Sequence, residues 1–264
     1  MSNLTSKLEV KNITKYFHGL AGSKICALEN VSLEINSSDS KGSINSILSK
    51  PGAGKTVLLK IISAIEKPTS GEIFIEGEKY SRPDGRIVFI PESPSSFPWM
   101  NVKENISFGF KSKKNNFDDT GEKLEKLISL AGLEGYENYH PQEKNSGFRF
   151  RISLARALAA EPKIILIDNS LRTFSNETKK ELYELLRSVK LKMDVGFILA
   201  TTNINETIEL SDKIFLMQKN HGKIFRQIIV EEFKKDHLSE DENYTLRMEI
   251  EKAFNLHEEF HDIS

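Results

Sequence analysis

Apolar and polar residues change rhythm along this chain. In the first eighty residues the apolar ones come in short β-like runs, Leu8 to Ile13, Ala27 to Ile35 and Glu72 to Ile75, set apart by turns such as the polar Asn36-Ser-Ser-Asp-Ser-Lys-Gly42. That pattern predicts an antiparallel β layer. Two further elements lie among these runs: Ser43 to Leu48 reads as a short strand, and Thr56 to Ile65 as a mostly apolar, buried helix. Lys111 to Asp119 is polar and predicts a surface loop, after which Leu124, Leu127, Ile128 and Ala131 fall at helical spacing. From Arg151 the order becomes helix (Arg151 to Ala160), strand (Ile164 to Ile167), helix with Leu182, Leu185, Leu186 and Val189 on one face, and strand (Phe197 to Thr201). Such alternation predicts a parallel sheet covered by helices. Beyond Val230 the chain is strongly charged, with a helical stripe of Leu246, Ile250 and Phe254 that suits a docking helix better than a separate domain.

The peptide between the strand ending at Leu48 and the helix from Thr56 carries chemistry. Ser49-Lys50-Pro51-Gly52-Ala53-Gly54-Lys55-Thr56 fits the second half of the phosphate-binding pattern G-x-x-x-x-G-K-[ST], and the strand–loop–helix frame that the pattern requires is present. Small residues there let backbone N–H groups converge on a β-phosphate. Lys55 would reach the β- and γ-phosphates and Thr56 would ligate Mg²⁺, while the helix N-terminus at Thr56 and Val57 adds its own attraction for an anion. Ser49 occupies the place of the pattern's first glycine, a real cost if that position needs a backbone conformation open only to glycine.

Composition narrows the setting. With 264 residues, 38% apolar and 28% charged, the chain can bury a sizeable core, as one domain or a core with a small appended subdomain. Lys plus Arg (37) nearly balances Asp plus Glu (38), so the net charge of -1 offers no argument for nucleic acid or an anionic membrane. The single cysteine, Cys26, excludes an internal disulfide and suits a reducing cytosol. No apolar stretch approaches bilayer-spanning length and the N-terminal residues lack a signal-peptide core, so service to a membrane is expected to be peripheral.

Taken together, the motifs resemble those of the ATPase subunit of an ABC transporter, with similarity nearest to importers of sulfonates, nitrate and related small anions. Ala27-Leu-Glu-Asn-Val-Ser-Leu-Glu-Ile35 resembles the strand before the phosphate loop. Phe97-Pro-Trp-Met-Asn-Val-Lys-Glu-Asn-Ile106 resembles the stretch after the Q-loop, and Leu154 to Asp168 resembles the run from signature helix into Walker B. Leu210-Ser-Asp-Lys-Ile214 matches the pattern beyond the switch histidine. The resemblance implies an α/β P-loop NTPase fold: an ABC-type ATPase domain with a mixed sheet core, an antiparallel β subdomain and a helical subdomain. It further implies a nucleotide-binding domain over residues 1–230, its helical part at about 95–160, and a charged helical tail over 231–264. ATP and Mg²⁺ are the implied ligands, with Asp168 holding the metal through its water shell. Phe17, two residues after Lys15, falls where an aromatic stacks on adenine.

The departures from the family fall where its chemistry is done. Asn169 stands in place of the glutamate that polarises the attacking water, and an amide cannot accept a proton at neutral pH. Thr202 replaces the switch histidine, with shorter reach and no cationic form. Glu92 replaces the Q-loop glutamine, where a carboxylate ligates Mg²⁺ more strongly but adds negative charge beside a polyphosphate. Lys144-Asn145-Ser146-Gly147-Phe148 occupies the signature segment: Asn145 offers a polar side chain and Gly147 survives, while Ser146 and Phe148 crowd the approach. Ser175 replaces the D-loop aspartate. None of the catalytic positions is intact, so the resemblance implies ATP binding with weak or absent hydrolysis.

Three functions follow from these residues. One is a transporter subunit, a homodimer or a heterodimer with another ATPase subunit, meeting a membrane permease through Pro94 to Phe108, where the resemblance puts that contact and where Phe97, Trp99 and Met100 read as exposed. A second is a competent ATPase with Glu92 as the base. The third is an ATP-binding regulatory protein without a transport role.

Overall fold

The computed structural model describes residues 6–19, 23–36, 42–93, 95–111, 120–230 and 240–261. Most of the predicted turn at 36–42, most of the predicted loop at 111–119, Pro94 of the expected permease-facing segment, and residues 231–239 and 262–264 of the expected tail lie outside these residues. The chain forms two compact units: Met1–Ser37, Ser43–Ser81 and Leu199–Ser264 make the first, Ser38–Gly42 and Arg82–Ile198 the second.

In the first unit, β1 (Ser6–His18), β2 (Lys24–Asn36), β4 (Ser70–Ile75) and β5 (Glu78–Lys79) form an antiparallel sheet in the order β2-β1-β4-β5. Leu8 and Val10 are buried at a spacing of two, as alternation requires, and then the phase slips so that Ile13 is buried instead of residue 12. The slip is a bulge at Asn12, whose φ of 52 is left-handed and whose N–H bonds Ser32 Oγ at 2.9 Å. Both strands therefore run well beyond the predicted spans of Leu8 to Ile13 and Ala27 to Ile35. A second, mixed sheet in this unit pairs β3 (Ile44–Leu48) in parallel with β9 (Lys213–Met217), and β9 antiparallel with β10 (Ile224–Ile229).

Helix α1 (Lys55–Ile62) follows β3 and buries Leu58, Leu59, Ile61 and Ile62. It stops three residues short of the predicted Ile65, because Ala64 takes a φ of 57 and the N–H groups of Ile65 and Glu66 both turn back to the Lys60 carbonyl. The short α6 (Ile204–Leu210) is capped by the side chain of Asn203. The last helix, α7 (Glu240–His261), buries Leu246, Ile250 and Ala253 with Leu48, Ile208, Ile214, Leu216, Ile228 and Val230, and Phe254 packs on the same cluster. Its apolar stripe thus docks on the first unit.

The second unit holds a parallel pair, β6 (Ile87–Ile90) and β7 (Ile164–Asp168), registered Ile87 to Ile164 through Ile90 to Ile167. All five residues of β7 are buried, as a continuous apolar run in a parallel sheet should be. Four helices accompany the pair: α2 (Val102–Phe110), α3 (Thr120–Leu130), α4 (Ser146–Ala159) and α5 (Asn176–Lys192). Leu182, Leu185, Leu186 and Val189 line the buried face of α5, and Leu124, Leu127, Ile128 and Ala131 are buried as their spacing predicts. Helix α4 begins five residues before the predicted Arg151, since Asn145 caps it well ahead of the apolar pattern. Strand β8 (Gly196–Thr201) runs from the second unit into the first, the division falling after Ile198.

Candidate functional site

The loop from Ser49 to Gly54 joins the buried strand β3 to α1. Two glycines shape it, Gly52 at φ 82 and Gly54 at φ 92, a conformation that costs a side-chain-bearing residue about 1 kcal/mol or more. At Gly54 the restriction is also steric, because a Cβ there would lie 2.7 Å from the Ala27 carbonyl oxygen of β2. The loop is thus pressed against the antiparallel sheet. Gly54 is the N-cap of α1 and supplies no side chain, so the cap leaves the first-turn N–H groups of the helix to an external acceptor. Pro51, Gly52 and Thr56 are exposed, Ala53 is buried and Val57 half-buried.

Lys55 folds back into this loop and is only 8% exposed. Its Nζ donates to Ser49 Oγ at 2.6 Å, to the Ser49 carbonyl at 3.2 Å and to the Lys50 carbonyl at 3.3 Å. Ser49 itself is absent from the residues with left-handed φ, so serine carries no backbone strain at the pattern's first glycine position; the expected cost does not arise. Its N–H bonds the Thr201 carbonyl at 3.3 Å, which ties the loop to the end of β8. Thr202 follows, and with Ser49, Lys50 and Pro51 it lines a cavity of about 380 Å³ closed on another side by Glu251, Phe254 and Asn255 of α7. Phe17, on β1, is 38% exposed, and Lys15 Nζ lies 4.9 Å from its ring centre while bonding Glu66 at 2.6 Å.

In the second unit Asp168, a residue only 5% exposed, closes β7 at the carboxyl end of a parallel strand, the end where α/β sheets bind ligands. Asn169 follows at φ 47, a left-handed turn that asparagine tolerates, and its Nδ2 donates to Glu92 Oε1 at 3.0 Å. Ser170 Oγ donates to the Pro91 carbonyl at 2.8 Å, tying the segments after β6 and β7 together. The amide at 169 and the carboxylate at 92 thus form one pair.

Asn145 and Ser175 have structural employment. Asn145 Oδ1 accepts from Phe148 N–H at 2.9 Å as the N-cap of α4, and Ser175 Oγ accepts from Thr178 N–H at 3.3 Å as the N-cap of α5. Each cap is worth about 1 kcal/mol. Phe148 turns its ring edge-on to Tyr136, with centroids 5.6 Å apart, while Lys144 lies over the rings of Tyr136 and Tyr139 at 5.0 and 5.2 Å. Ser146 is half-buried and Gly147 buried at the start of α4.

Trp99 is 70% exposed, whereas Phe97 and Met100, read as exposed from sequence, are half-buried. The reason is Asn105, a fully buried polar residue that sequence reasoning passed over. Its Oδ1 accepts from Phe97 N–H at 2.8 Å, and its Nδ2 donates to the carbonyls of Phe97, Met100 and Asn101 at 3.1, 2.8 and 3.0 Å. The only sequence signal was an asparagine inside the apolar stripe Val102, Ile106 and Gly109 of α2. Phe97 stacks on Trp99 at 5.4 Å, and the Arg156 guanidinium lies 4.1 Å from its centre. Burial holds Arg156 below the usual guanidinium range.

The donor set fits a magnesium nucleotide. Among the described residues no group of three or more His, Cys, Asp or Glu side chains could hold a metal ion alone. Mg²⁺ is commonly bound by one or two protein groups together with phosphate oxygens, and in the first unit the exposed Thr56 hydroxyl at the start of α1 suits that use. No helix among the described residues is long and apolar enough to cross a membrane.

Comparison with known proteins identifies the family. The nitrate import ATP-binding protein NrtD of Synechocystis is 27% identical over 248 residues, covering 92% of this chain and 90% of the relative. The aliphatic sulfonates import ATP-binding protein SsuB of Bacillus cereus is 30% identical over 221 residues, covering 84% and 85%. Among solved structures, a component of the cbiONQ ABC transporter complex from Clostridium perfringens shares the fold at TM-score 0.76 and 21% identity, covering 96% of this chain and 99% of the other. A bacterial ABC transporter cassette solved as a dimer shares it at TM-score 0.72 and 24% identity, covering 84% and 98%. The family profile described as "ABC transporter" matches residues 28–172, more than half of the chain. The chain belongs to the ABC transporter family, as an ATP-binding subunit.

Proposed function

We propose that this subunit binds Mg-ATP, turns it over slowly or not at all, and couples ATP-dependent pairing with a second ATPase subunit to a membrane permease of an importer. The observation that carries the reading is the phosphate loop: two left-handed glycines, an uncapped helix N-terminus and a buried lysine ammonium converge on Ser49 to Val57. In this reading Lys55 and the N–H groups of Gly52 to Val57, with Ser49 to Pro51 shaping the loop, would hold the phosphates and Phe17 would take the adenine, while the Mg²⁺ roles of Thr56 and of Asp168 rest on the family resemblance. Asn145 to Gly147 face a nucleotide held by the other subunit. Mg²⁺, when bound, would supply positive charge that offsets the charge of the phosphates.

Weak turnover is inferred from Asn169, which lacks a basic lone pair, and from Thr202, which lacks an ionisable ring. A second reading, a competent ATPase, is favoured by one contact: Asn169 holds the carboxylate of Glu92, the remaining candidate base.

Import rather than export, and a small anion or sulfonate as cargo, is supported by relatives named for nitrate, aliphatic sulfonates and taurine. The permease contact is assigned to Ser95 to Phe108, extending to Pro94, because Trp99 stands exposed on a loop braced by Asn105 and Phe97. Such a subunit works on the cytoplasmic face of the membrane. Co-expressed with a candidate permease subunit from the same source, the chain is expected to co-purify with that membrane protein, and Trp99→Ala to reduce recovery about tenfold, as interface aromatics commonly do. Equal recovery with Trp99→Ala would remove this surface from the contact.

A further inference from the structure

Lysine has three N–H donors, and the Ser49–Lys50 segment meets the Lys55 ammonium with three oxygens. The shortest of these contacts, 2.6 Å, is to the Ser49 hydroxyl, which a glycine could not supply. That hydroxyl is not free to swing. Its own proton is donated to the Lys50 carbonyl at 2.9 Å, which aims its lone pairs at Lys55, and hydrogen bonds chained in this way reinforce one another. The residue is 3% exposed, and its N–H is anchored to Thr201.

We propose that the Ser49 hydroxyl is an internal competitor for phosphate, engaging the Lys55 ammonium so that a nucleotide gains its phosphate contact only by displacing it. The inference rests on the reading of this loop as the nucleotide site. It assigns Ser49 the role of a positioning residue that sets affinity. A phosphate oxygen approaching Lys55 must replace at least one of the three chain oxygens, and the hydroxyl offers a charge-assisted bond of the stronger kind. Removing it takes away the shortest of these three contacts and leaves the two longer ones, to backbone carbonyls. Because the competition is for phosphate, it acts on any ligand with a diphosphate, whatever its base.

Ser49→Ala is the clean variant, since position 49 has no left-handed φ and the strand-end conformation suits alanine. Isothermal titration of the full chain with Mg-ATP and with magnesium pyrophosphate is expected to show both binding about tenfold more tightly in Ser49→Ala, the scale of one hydrogen bond to a charged group. Ser49→Gly should behave alike, Ser49→Thr should stay near wild type because it keeps the hydroxyl, and Ser49→Ala in a Lys55→Ala background should have no effect. Unchanged or weaker binding in Ser49→Ala and Ser49→Gly overturns the proposal, as does an equal gain in the Lys55→Ala background. ATP affinity that is indifferent to Lys55 would remove the nucleotide-site reading itself; affinity that depends on Lys55 but not on Ser49 would remove only the competitor.

Discussion

Lys55→Ala is expected to weaken Mg-ATP binding by about 10²-fold or more, measured by isothermal titration, while the fold survives. Two effects add. The variant loses the ammonium that meets the β- and γ-phosphates, and it leaves the Ser49 hydroxyl and the carbonyls of Ser49 and Lys50 facing an incoming polyanion without their cation. The second effect is peculiar to this loop, in which the chain's own oxygens surround the lysine. A modest drop in melting temperature should accompany the substitution, since a buried hydroxyl loses a charged partner. Wild-type affinity in this variant would show that the glycine loop is a structural turn.

The exchange of two side chains is the second large effect. Asn169 Nδ2 donates to Glu92 Oε1 at 3.0 Å, so amide and carboxylate already face each other. The double variant Glu92→Gln with Asn169→Glu keeps one amide, one carboxylate and the total charge, but moves the carboxylate to the residue directly after Asp168. Turnover is expected to rise by about 10²- to 10⁴-fold, the usual worth of a positioned general base. Asn169→Glu alone should gain less, because two carboxylates at hydrogen-bonding distance repel and one of them takes up a proton. A phosphate-release assay on the two single variants and the double decides this. If Glu92→Gln alone removes most of the wild-type turnover, Glu92 is the working base and the competent-ATPase reading holds.

Much of the fold was legible because its signals are local. The glycines and lysine of the phosphate loop, the apolar run of β7 and the one-sided stripe of α5 each announce themselves within a few residues. Boundaries were lost where a single polar residue decides them. The bulge at Asn12 shifts the alternation of β1, and Asn145 starts α4 five residues before any apolar rhythm appears. The site was legible in its residue types and less so in their employment. Asn145 and Ser175 read as a signature-segment and a D-loop position, and both cap helices, because a short polar side chain serves either purpose. The pairing of Asn169 with Glu92 joins residues 77 apart in sequence, and the brace at Asn105 needs a loop to wrap around it; neither has a pattern that a linear reading detects. Ser49 shows the converse. A rule about glycine predicts strain there, and the backbone has none.

Binding without commensurate turnover is the core of the functional reading, and it is tested most directly by measuring both on one sample. Mg-ATP affinity and steady-state phosphate release should be determined for the full chain, alone and mixed with a candidate partner ATPase subunit. The expected result is micromolar or tighter binding that depends on Lys55, with release at least about 10²-fold below that of the Glu92→Gln, Asn169→Glu double variant. Wild-type turnover equal to that of the double variant would contradict it, and would make this chain a working ATPase with its base at Glu92.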